Sequence, residues 1–523
     1  MVIRWRSGIV TAVRREWPGA LELDVLADEA GMRALAYPGL VGQPAVGDRV
    51  LLNTTALHQG LGTGGYALVA AVPDRLPPDP AAFGGHLVKA RYTPLQATVA
   101  GADEQGSPHH GVLRDADDVG GMPVVVADLH SAVPAIAAGY LASRPGARVG
   151  YVMQDGGALP AWFSRSAAAL TEAGWLAGTV TVGQAFGGDV ETVSLHTGLL
   201  AVRHVLDAEL AIVAPGPGNL GTGTRWGFSG VAAGEAVNAA AVLHGRPVGS
   251  LRISGADRRD RHRGISHHSL TAYGRVALAP ADVVVPELGG DLGAEVRAAA
   301  AGLASRHHLV FVPLAGLDEA LRASPVDLQT MGRGLAEEQP YFLAAAAAGR
   351  HAATLTAERP RYDVERSCVR IVLRDRDGRI LLLRAELASR AAGHWWELPG
   401  GGIEAGEGYA DAAVRELAEE TGLVLSPAQV GPPRWRRSST WTARGLRRLQ
   451  HEVVVRVDLD AVAPPVTGSG RTAEEREEYT GSRWWLPAEL LSSSERFYPG
   501  RLPELLPAFL AGAELTEPFE RWN

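Results

Sequence analysis

The segment "GGIEAGEGYADAAVRELAEETGL", residues 401–423, decides the fold of the last third of the chain. Its second half predicts a helix of about three turns that ends at Gly422. On this helix Glu416 and Glu420 are four residues apart and Glu419 is three from Glu416, so the carboxylates lie on or near one face. Crowded carboxylates repel each other, and a hard cation removes that cost. Mg²⁺ is such a cation, since it binds carboxylates together with substrate phosphates.

Two other features of this region support a ligand site. Arg415 can pair with Glu407, which would hold the glycine-rich loop against the helix. The three glycines of this loop let the backbone approach a ligand closely, and we predict them as substrate-binding residues. They are Gly400, Gly401 and Gly402.

The spacing of these residues resembles the Nudix box. The box reads Gly, five residues, Glu, seven residues, Arg-Glu, apolar, any, Glu-Glu, any, Gly, apolar. Every defining position has its match in this chain, at Gly401, Glu407, Arg415, Glu416, Leu417, Glu419, Glu420, Gly422 and Leu423. A charged surface helix is the alternative interpretation, but so many constrained positions in order make it a poor one. The resemblance covers about residues 362–523.

The resemblance implies an activity and a set of roles. It implies a Nudix-type pyrophosphohydrolase that cleaves a nucleoside diphosphate linked to another moiety, with Mg²⁺ or Mn²⁺ as cofactor. The implied metal ligands are Glu416, Glu419 and Glu420, and the implied brace is Arg415 with Glu407. A further acidic residue outside the box often assists in this family. The candidates are Glu452, Glu475, Glu477 and Glu478, and a solvated charge run is the alternative for the last three.

Composition changes along the chain predict an α/β multidomain protein. Short β-type runs such as "ALELDVLA" indicate a small β-barrel or sandwich-like domain over residues 1–82. Between residues 83 and 355, β-rich runs alternate with Ala-rich helical stretches, which is typical of βαβ units and a mostly parallel sheet. Residues 362–523 then form the predicted Nudix α/β/α sandwich.

Polar loops follow the five strands that we predict in the central domain. Ligands of open α/β sheets bind outside the carboxyl ends of the strands, so we predict a site there. Its candidate residues are Asp128, His130, Asp155, Asp189, Asn219, Asp257, His267 and His268. Ordinary turn chemistry is the alternative reason for so many Gly and Asp. A backbone cradle for phosphate or carboxylate at "GPGNLG" and a metal centre both remain open.

Residues 1–350 also resemble a bacterial family of unknown function. The resemblance rests on "RVLLNTTALHQGLGTGGY", "KARYTPLQ", "SPHH", "QAFGGD", "GISHHSLTA" and "TMGRGL". It implies no activity. The front region therefore either binds or processes a metabolite related to the Nudix substrate, or is a second enzyme fused to the first. A third alternative is a regulator in which the Nudix fold senses a nucleotide.

Overall composition limits the partners and the location. A net charge of −8 argues against a general nucleic-acid binder and gives no attraction to an anionic membrane. No uninterrupted apolar stretch is long enough to span a bilayer. Cys368 is the single cysteine, which favours a reducing cytoplasm. We therefore expect a cytoplasmic protein with a nucleotide-type small-molecule substrate, and neither nucleic acid nor membrane as a partner.

Overall fold

The computed structural model describes residues 3–61, 64–79, 85–356, 364–386, 394–404, 406–443, 446–472, 476, 478–517 and 520–521. The chain forms two compact units, Met1–Ala357 and Glu358–Asn523. The first unit contains both the predicted β domain and the predicted α/β domain. A boundary between those two near residue 82 stays a proposal. None of the described helices combines the length and apolarity needed to cross a bilayer.

The first unit begins with a closed five-stranded barrel. Its strands, in chain order, are β1 (Trp5–Trp17), β2 (Ala20–Ala27), β3 (Ala30–Ala36), β4 (Arg49–Asn53) and β5 (Ala67–Ala71). They pair in the order β1-β2-β3-β5-β4, and β4 closes the barrel on β1. Alternate side chains such as Leu21, Leu23 and Val25 on β2 fill the interior, as the period of two along a strand requires. Two short helices, α1 (Pro38–Val41) and α2 (Thr55–His58), connect the strands.

The rest of the first unit is built on an eight-stranded sheet. The strands that follow the barrel are β6 (Leu87–Lys89), β7 (Ala97–Val99), β8 (Pro123–Val126), β9 (Val149–Gln154), β10 (Gly178–Thr181), β11 (Val190–Glu191), β12 (Leu210–Pro215), β13 (Arg246–Ser250), β14 (Ile253–Ser254), β15 (Gly264–Ile265), β16 (Asp282–Pro286), β17 (His308–Val312), β18 (Gln329–Thr330) and β19 (Arg333–Gly334). The large sheet has the order β11-β10-β9-β12-β8-β13-β16-β17. Every pairing within it is parallel, which confirms the predicted α/β class.

The order of the strands reverses at the centre of this sheet. From β8 the chain builds outward through β9, β10 and β11, and it returns to place β12 beside β8. It then crosses to the other side of β8 and adds β13, β16 and β17. The carboxyl ends of β12, β8 and β13 therefore flank the switch point, where open α/β sheets bind their ligands.

Helices cover the sheet, and two of them pack unusually closely. The helices of this region are α3 (His110–Leu113), α4 (Val133–Ser143), α5 (Arg165–Glu172), α6 (Leu195–His204), α7 (Ala232–Val242), α8 (His267–Thr271), α9 (Gly290–Ala300), α10 (Leu317–Arg322) and α11 (Gln339–Leu355). A Cβ added at Gly139 on α4 would lie 1.9 Å from the Ala346 carbonyl oxygen on α11. A Cβ at Gly349 on α11 would lie 2.0 Å from the Ile136 carbonyl oxygen on α4. Glycines on both helices therefore let the two backbones touch.

Lys89, at the end of β6, is fixed beneath the edge of the large sheet. Its ammonium donates hydrogen bonds to the carbonyl oxygens of Gly183 at 3.0 Å and Ala185 at 2.7 Å, and it lies 3.3 Å from a carboxylate oxygen of Glu191. The side chain is 2% exposed, and burial lowers its pKa against the opposing effect of Glu191. This one side chain thus ties the β6 hairpin to the loop after β10.

The second unit is a mixed sheet covered by helices on both faces. Its elements are β20 (Val364–Arg374), β21 (Ile380–Ala385), β22 (Trp395–Glu397), α12 (Tyr409–Thr421), β23 (Trp435–Ala443), β24 (Leu446–Asp458), β25 (Tyr479–Trp485), α13 (Pro487–Ser492), β26 (Phe497–Tyr498), α14 (Leu502–Leu510), β27 (Leu515–Thr516) and β28 (Glu520–Arg521). The main path runs β26-β22-β21-β20-β24-β23-β27. Leu417 of α12 packs on one face with Ile371, and Leu506 of α14 packs on the other with Val372. This is the predicted α/β/α sandwich.

Candidate functional site

Helix α12 carries the carboxylates of the predicted metal site. It ends where the sequence predicts, because Gly422 takes the left-handed conformation (φ 76°) and its N–H bonds to the Ala418 carbonyl. Glu416 and Glu420 are buried, at 6% and 2% exposure, whereas the side chain of Glu419 is 39% exposed. Two of the three predicted ligands therefore face the interior of the domain.

The surroundings of Glu420 fit a hard cation. One carboxylate oxygen of Glu420 accepts a hydrogen bond from the Gly400 N–H at 2.8 Å. Burial, helped by the charges of Glu397 and Glu416, raises the pKa of this carboxyl to about 8. Glu416 is a second buried carboxylate on the same face of the helix. A divalent cation bound by Glu416 and Glu420 would stabilise the ionised form of both groups. The donor set of this site is thus oxygen only, as Mg²⁺ and Mn²⁺ prefer.

Arg415 braces the loop against the helix. Its guanidinium donates to both carboxylate oxygens of Glu407, at 3.0 Å each, and to the Gly402 carbonyl oxygen at 2.8 Å. It also donates to Glu416 at 2.8 Å and to Glu419 at 3.4 Å. The pKa of the Glu407 carboxyl is lowered by its hydrogen bonds from Arg415 and from the Glu404 N–H. One nitrogen of Arg415 thus contacts both Glu416 and Glu419.

The glycines that lead into the loop are required by close packing. Gly400 has φ 133°, and a Cβ there would lie 2.1 Å from the Val369 carbonyl oxygen. A Cβ at Gly401 would lie 2.6 Å from both carboxylate oxygens of Glu416. These positions bring the backbone against β20 and against a predicted ligand side chain. The substrate-binding role of Gly400, Gly401 and Gly402 stays a prediction.

Glu452, a candidate for the fourth acidic ligand, lies in a different environment. Its carboxylate accepts hydrogen bonds from Arg370 at 2.9 Å, from Tyr498 at 2.9 Å and from Arg437. Burial raises its pKa, but the two guanidinium groups more than offset this and the pKa is lowered. Of the other candidates, Glu478 accepts the Glu386 N–H through its backbone. Glu475 and Glu477 lie outside the described residues.

A buried acid near Glu420 escaped the sequence reasoning. Glu397 ends β22 and is 7% exposed. Its carboxylate accepts from the Tyr479 hydroxyl at 2.8 Å and lies 3.5 Å from Arg370. The signal available was its position directly before the glycine loop, in "ELPGGG". Glu397 therefore contributes negative charge to the surroundings of the box.

The switch point of the large sheet gathers part of the predicted central-domain site. Asp128, after β8, lies 3.4 Å from the Nδ1 of His268, and His267 adjoins His268 at the start of α8. A Cβ at Gly230 would lie 2.9 Å from the Asp128 Cβ and 3.5 Å from the Asn219 Nδ2, so Asn219 borders the same place. The sequence reasoning missed His262, whose ring centroid is 5.0 Å from that of His267 and 5.0 Å from that of His268. Its spacing from the "SHHS" pair was the available signal.

The other predicted residues of this site have separate partners. The His130 ring bonds to Ser164 Oγ at 2.7 Å, and desolvation lowers its pKa to about 4. Asp155 accepts the Gln184 N–H at 2.9 Å. Asp257 forms a two-point ion pair with Arg259, at 2.9 and 2.7 Å, which lowers the pKa of Asp257.

The placement of Asp189 at the carboxyl edge is wrong. Its carboxylate accepts the Thr179 N–H at 2.7 Å, near the beginning of β10. The loop after β10 runs back along that strand so that β11 can start parallel to it. Asp189 thus lies at the amino end of β10, where it satisfies the strand's first amides.

Comparisons with known proteins agree with both halves of this picture. Residues 33–349, more than half of the chain, match the family described as "Protein of unknown function (DUF3866)". Residues 364–509 match the NUDIX domain. Both resemblances drawn from the sequence are thereby confirmed.

The individual relatives each match less than a third of the chain. An RNA pyrophosphohydrolase of Sphingopyxis alaskensis is 44% identical over 59 residues, which are 11% of this chain and 35% of that protein. The RNA pyrophosphohydrolase of Dinoroseobacter shibae is 30% identical over 155 residues, 28% of this chain and 91% of that protein. The MutT protein from Methanosarcina mazei Go1 is 20% identical, with a TM-score of 0.22 and coverage of 28% of this chain and 94% of that chain.

These findings support the prediction of a Nudix-type pyrophosphohydrolase. The names of the two relatives do not fit cleanly with our expectation that nucleic acid is not a partner. Nudix hydrolases generally use divalent metal ions, in agreement with the oxygen-only donor set around Glu416 and Glu420. The chain belongs to the DUF3866 family and carries a NUDIX domain at its C-terminal end.

Proposed function

We propose that the NUDIX domain hydrolyses a diphosphate linkage in a nucleoside diphosphate derivative, with Mg²⁺ or Mn²⁺ as cofactor. The observation that carries this proposal is the burial of two acidic side chains, Glu416 and Glu420, on one face of α12 beside a glycine turn. Glu416 is paired with Arg415 at 2.8 Å, whereas Glu420 forms no ion pair among the described residues and accepts the Gly400 N–H at 2.8 Å. A buried carboxylate without a cationic partner is costly, and at Glu452 two arginines supply that partner. A metal ion bound beside Glu420 would supply the positive charge that this carboxylate lacks.

The residues of the site divide the work in the following way. Glu416 and Glu420 hold the metal, with Glu419 as the more exposed third carboxylate. When bound, the metal supplies charge neutralisation at the phosphates and lowers the pKa of a bound water. Arg415 and Glu407 fix the loop, and Gly400 and Gly401 set its path past β20. The fixed carboxylates are pre-organised for the charge that develops at phosphorus.

The substrate class follows from the relatives and the composition. Their names make an RNA that carries a pyrophosphate group a candidate, beside a free dinucleotide or nucleoside diphosphate conjugate. The net charge of −8 disfavours contact with a long nucleic-acid backbone. We therefore propose recognition limited to the terminal nucleotide. We further propose that the protein acts in the cytoplasm and that residues 83–355 bind or process a related metabolite.

Glu420→Gln tests the proposed function. Gln keeps the size and one acceptor for the Gly400 N–H but loses the negative charge. We expect a fall in kcat of about 10³-fold, equivalent to about 4 kcal/mol, and a weaker dependence on Mg²⁺. In the absence of metal the melting temperature should be unchanged near pH 7, where Glu420 is largely protonated, and should rise above pH 8, where the change removes repulsion with Glu416.

The matched control is Glu404→Gln. Glu404 is exposed and lies in the same loop, and its contacts with Glu407 are made by its backbone: its N–H donates to the Glu407 carboxylate and its carbonyl accepts the Glu407 N–H. We expect near-normal turnover from this variant. If Glu420→Gln kept normal turnover, the assignment of the metal face would be wrong. If the unchanged protein hydrolysed no diphosphate compound with Mg²⁺ or Mn²⁺, the nucleotide-sensing alternative would replace the enzyme.

A further inference from the structure

Three histidine rings meet at the switch point of the large sheet. His262, His267 and His268 each offer one ring nitrogen, and these nitrogens lie within 4.8 Å of one another. Within the part of the chain that the structure describes, this is the one group of three or more His, Cys, Asp or Glu with that geometry. His262 and His268 are buried, at 3% and 7% exposure, and His267 is half-buried. The cluster is thus enclosed on most sides and open at His267.

Two of the rings are oriented by hydrogen-bond partners on their Nδ1 atoms. His262 Nδ1 lies 2.8 Å from the hydroxyl of Ser266, which is fully buried and also caps α8. His268 Nδ1 lies 3.2 Å from a guanidinium nitrogen of Arg252 and 3.4 Å from Asp128 Oδ2, an oxygen that has no hydrogen-bond partner among the described residues. In both rings this leaves Nε2 for another partner. A carboxylate behind a ligating histidine is a common arrangement in metal sites, because it fixes the ring and its tautomer.

The third ring has an unsatisfied nitrogen. His267 Nε2 is buried and has no hydrogen-bond partner among the described residues. Buried polar atoms in native proteins almost always have a partner, so this atom requires an explanation. Phe228 stacks on His268 with ring centroids 3.8 Å apart and contacts the edge of His267, which keeps water from one side of the rings. A ligand bound between the rings would satisfy the buried nitrogen.

Charged groups of both signs lie near the cluster. The guanidinium groups are those of Arg252, Arg259 and Arg261, and the carboxylates are those of Asp128 and Asp257. Arg252 lies 3.2 Å from His268 Nδ1 and 3.9 Å from Asp128, so Asp128 largely offsets its positive charge.

We infer that His262, His267 and His268 bind a divalent transition-metal ion at this switch point. Three imidazoles are a ligand set typical of Zn²⁺ and of Co²⁺ in the same site, with a fourth position open to water or to an anionic oxygen of a ligand. Asp128 is a positioning residue that acts through His268. Asn219 and Phe228 border the same place, at the switch point where a metabolite of an open α/β sheet would bind.

Metal retention by the full-length protein tests this inference. The protein is stripped with a chelator, reloaded with Zn²⁺ in the presence of excess Mg²⁺, and dialysed. The excess Mg²⁺ occupies the oxygen site of the NUDIX domain. Metal content is then measured by mass spectrometry, and a parallel sample is loaded with Co²⁺ for its visible spectrum. We expect one Zn²⁺ per chain and the intense absorption bands of a four-coordinate Co²⁺ ion.

His267→Gln and His109→Gln form a matched pair of variants. Both residues are half-buried members of adjacent histidine pairs, but His109 lies outside the cluster. We expect His267→Gln to lose the bound Zn²⁺ and the Co²⁺ bands, and His109→Gln to keep both. Circular dichroism checks that each variant is folded. Asp128→Asn should retain the metal but raise its Kd about 10- to 100-fold, as the loss of an outer carboxylate does. The inference is overturned if the unchanged protein retains no Zn²⁺, or if His267→Gln retains as much.

Discussion

Glu452 lies at the centre of a buried ion network that joins four strands of the NUDIX domain. It is on β24, and its partners Arg370, Arg437 and Tyr498 are on β20, β23 and β26. Both oxygens of its carboxylate are occupied by these donors. We therefore assign Glu452 to the structure of the domain and not to the metal.

Glu452→Gln is predicted to destabilise the domain strongly. The change removes the anion shared by two buried guanidinium groups and leaves Arg370 with Glu397 at 3.5 Å and Arg437 with Glu517 at 3.1 Å. Breaking a buried ion pair typically costs about 3–5 kcal/mol. Urea unfolding of the full-length protein, followed by a probe in the C-terminal unit, measures this loss. Glu365→Gln is the control, because Glu365 is 64% exposed and its pairing with His451 contributes little. A Glu452→Gln protein of normal stability but without Mg²⁺-dependent turnover would identify Glu452 as a metal ligand instead.

At the scale of elements, the contact between α4 and α11 depends on glycine. Gly349 lies against the Ile136 carbonyl, and Gly139 lies against the Ala346 carbonyl. Both carbonyl groups belong to helix backbones, so neither can move aside for the methyl group of an alanine. The run "LAAAAAGRHAA" thus forms a helix whose small residues serve close packing as well as helix propensity.

Gly349→Ala is predicted to destabilise the first unit by about 3 kcal/mol or more, the upper range for overpacking. An isolated helix would instead gain about 1 kcal/mol from this change, so the sign of the effect separates packing from propensity. Thermal unfolding monitored by circular dichroism gives the answer. Gly302→Ala, where the added Cβ meets nothing within 4 Å, should be neutral or slightly stabilising. Equal unfolding temperatures of the Gly349→Ala and Gly302→Ala variants would contradict the close contact between α4 and α11.

Elements with strong local signals were predictable from the sequence. Helix α12 has an apolar stripe and a terminal glycine, and the hairpin of β20 and β21 has Asp377-Gly378 at its turn. The strands β16 and β17 were not predicted. Their short apolar runs carry no alternation, and β17 is an edge strand with several half-exposed side chains, so local pattern does not separate them from loop.

The candidate sites likewise differ in how far the sequence alone predicts them. The NUDIX carboxylates were predictable because one helix turn brings Glu416 and Glu420 together. The histidine cluster was predicted only in part, since His262 reaches His267 through a loop whose path the sequence does not specify. Asp189 was misplaced for a related reason: a residue after a strand lies at its carboxyl end only if the loop does not run back along the strand.

At the scale of the whole molecule, each unit buries its own core. The hydrophobic clusters of residues 1–357 and of residues 358–523 share no members. Each unit also contains a complete candidate site, with oxygen ligands in one and nitrogen ligands in the other. The two candidate sites therefore have different metal preferences within one chain.

We predict that the units function when expressed separately. Residues 358–523 should retain the Mg²⁺-dependent turnover of the full-length protein within a few-fold, because every residue of the box and its brace lies in this unit. Parallel assays of the fragment, of residues 1–357 and of the whole chain against a panel of nucleoside diphosphate derivatives measure this. Turnover by the whole chain but not by the folded fragment would show that the front unit completes the active site.

The burial of Lys89 has a practical consequence for work with this protein. It is the single lysine of the chain, so the folded protein presents no accessible ε-amino group to reagents such as succinimidyl esters. We expect acylation of Lys89 to be very slow under native conditions and to become fast in urea, as mass spectrometry of the 89-containing peptide would show. Rapid labelling of the native protein would contradict the burial. Because the side chain reacts only when the sheet edge opens, its labelling rate is an intrinsic reporter of that local opening, and it requires no engineered probe.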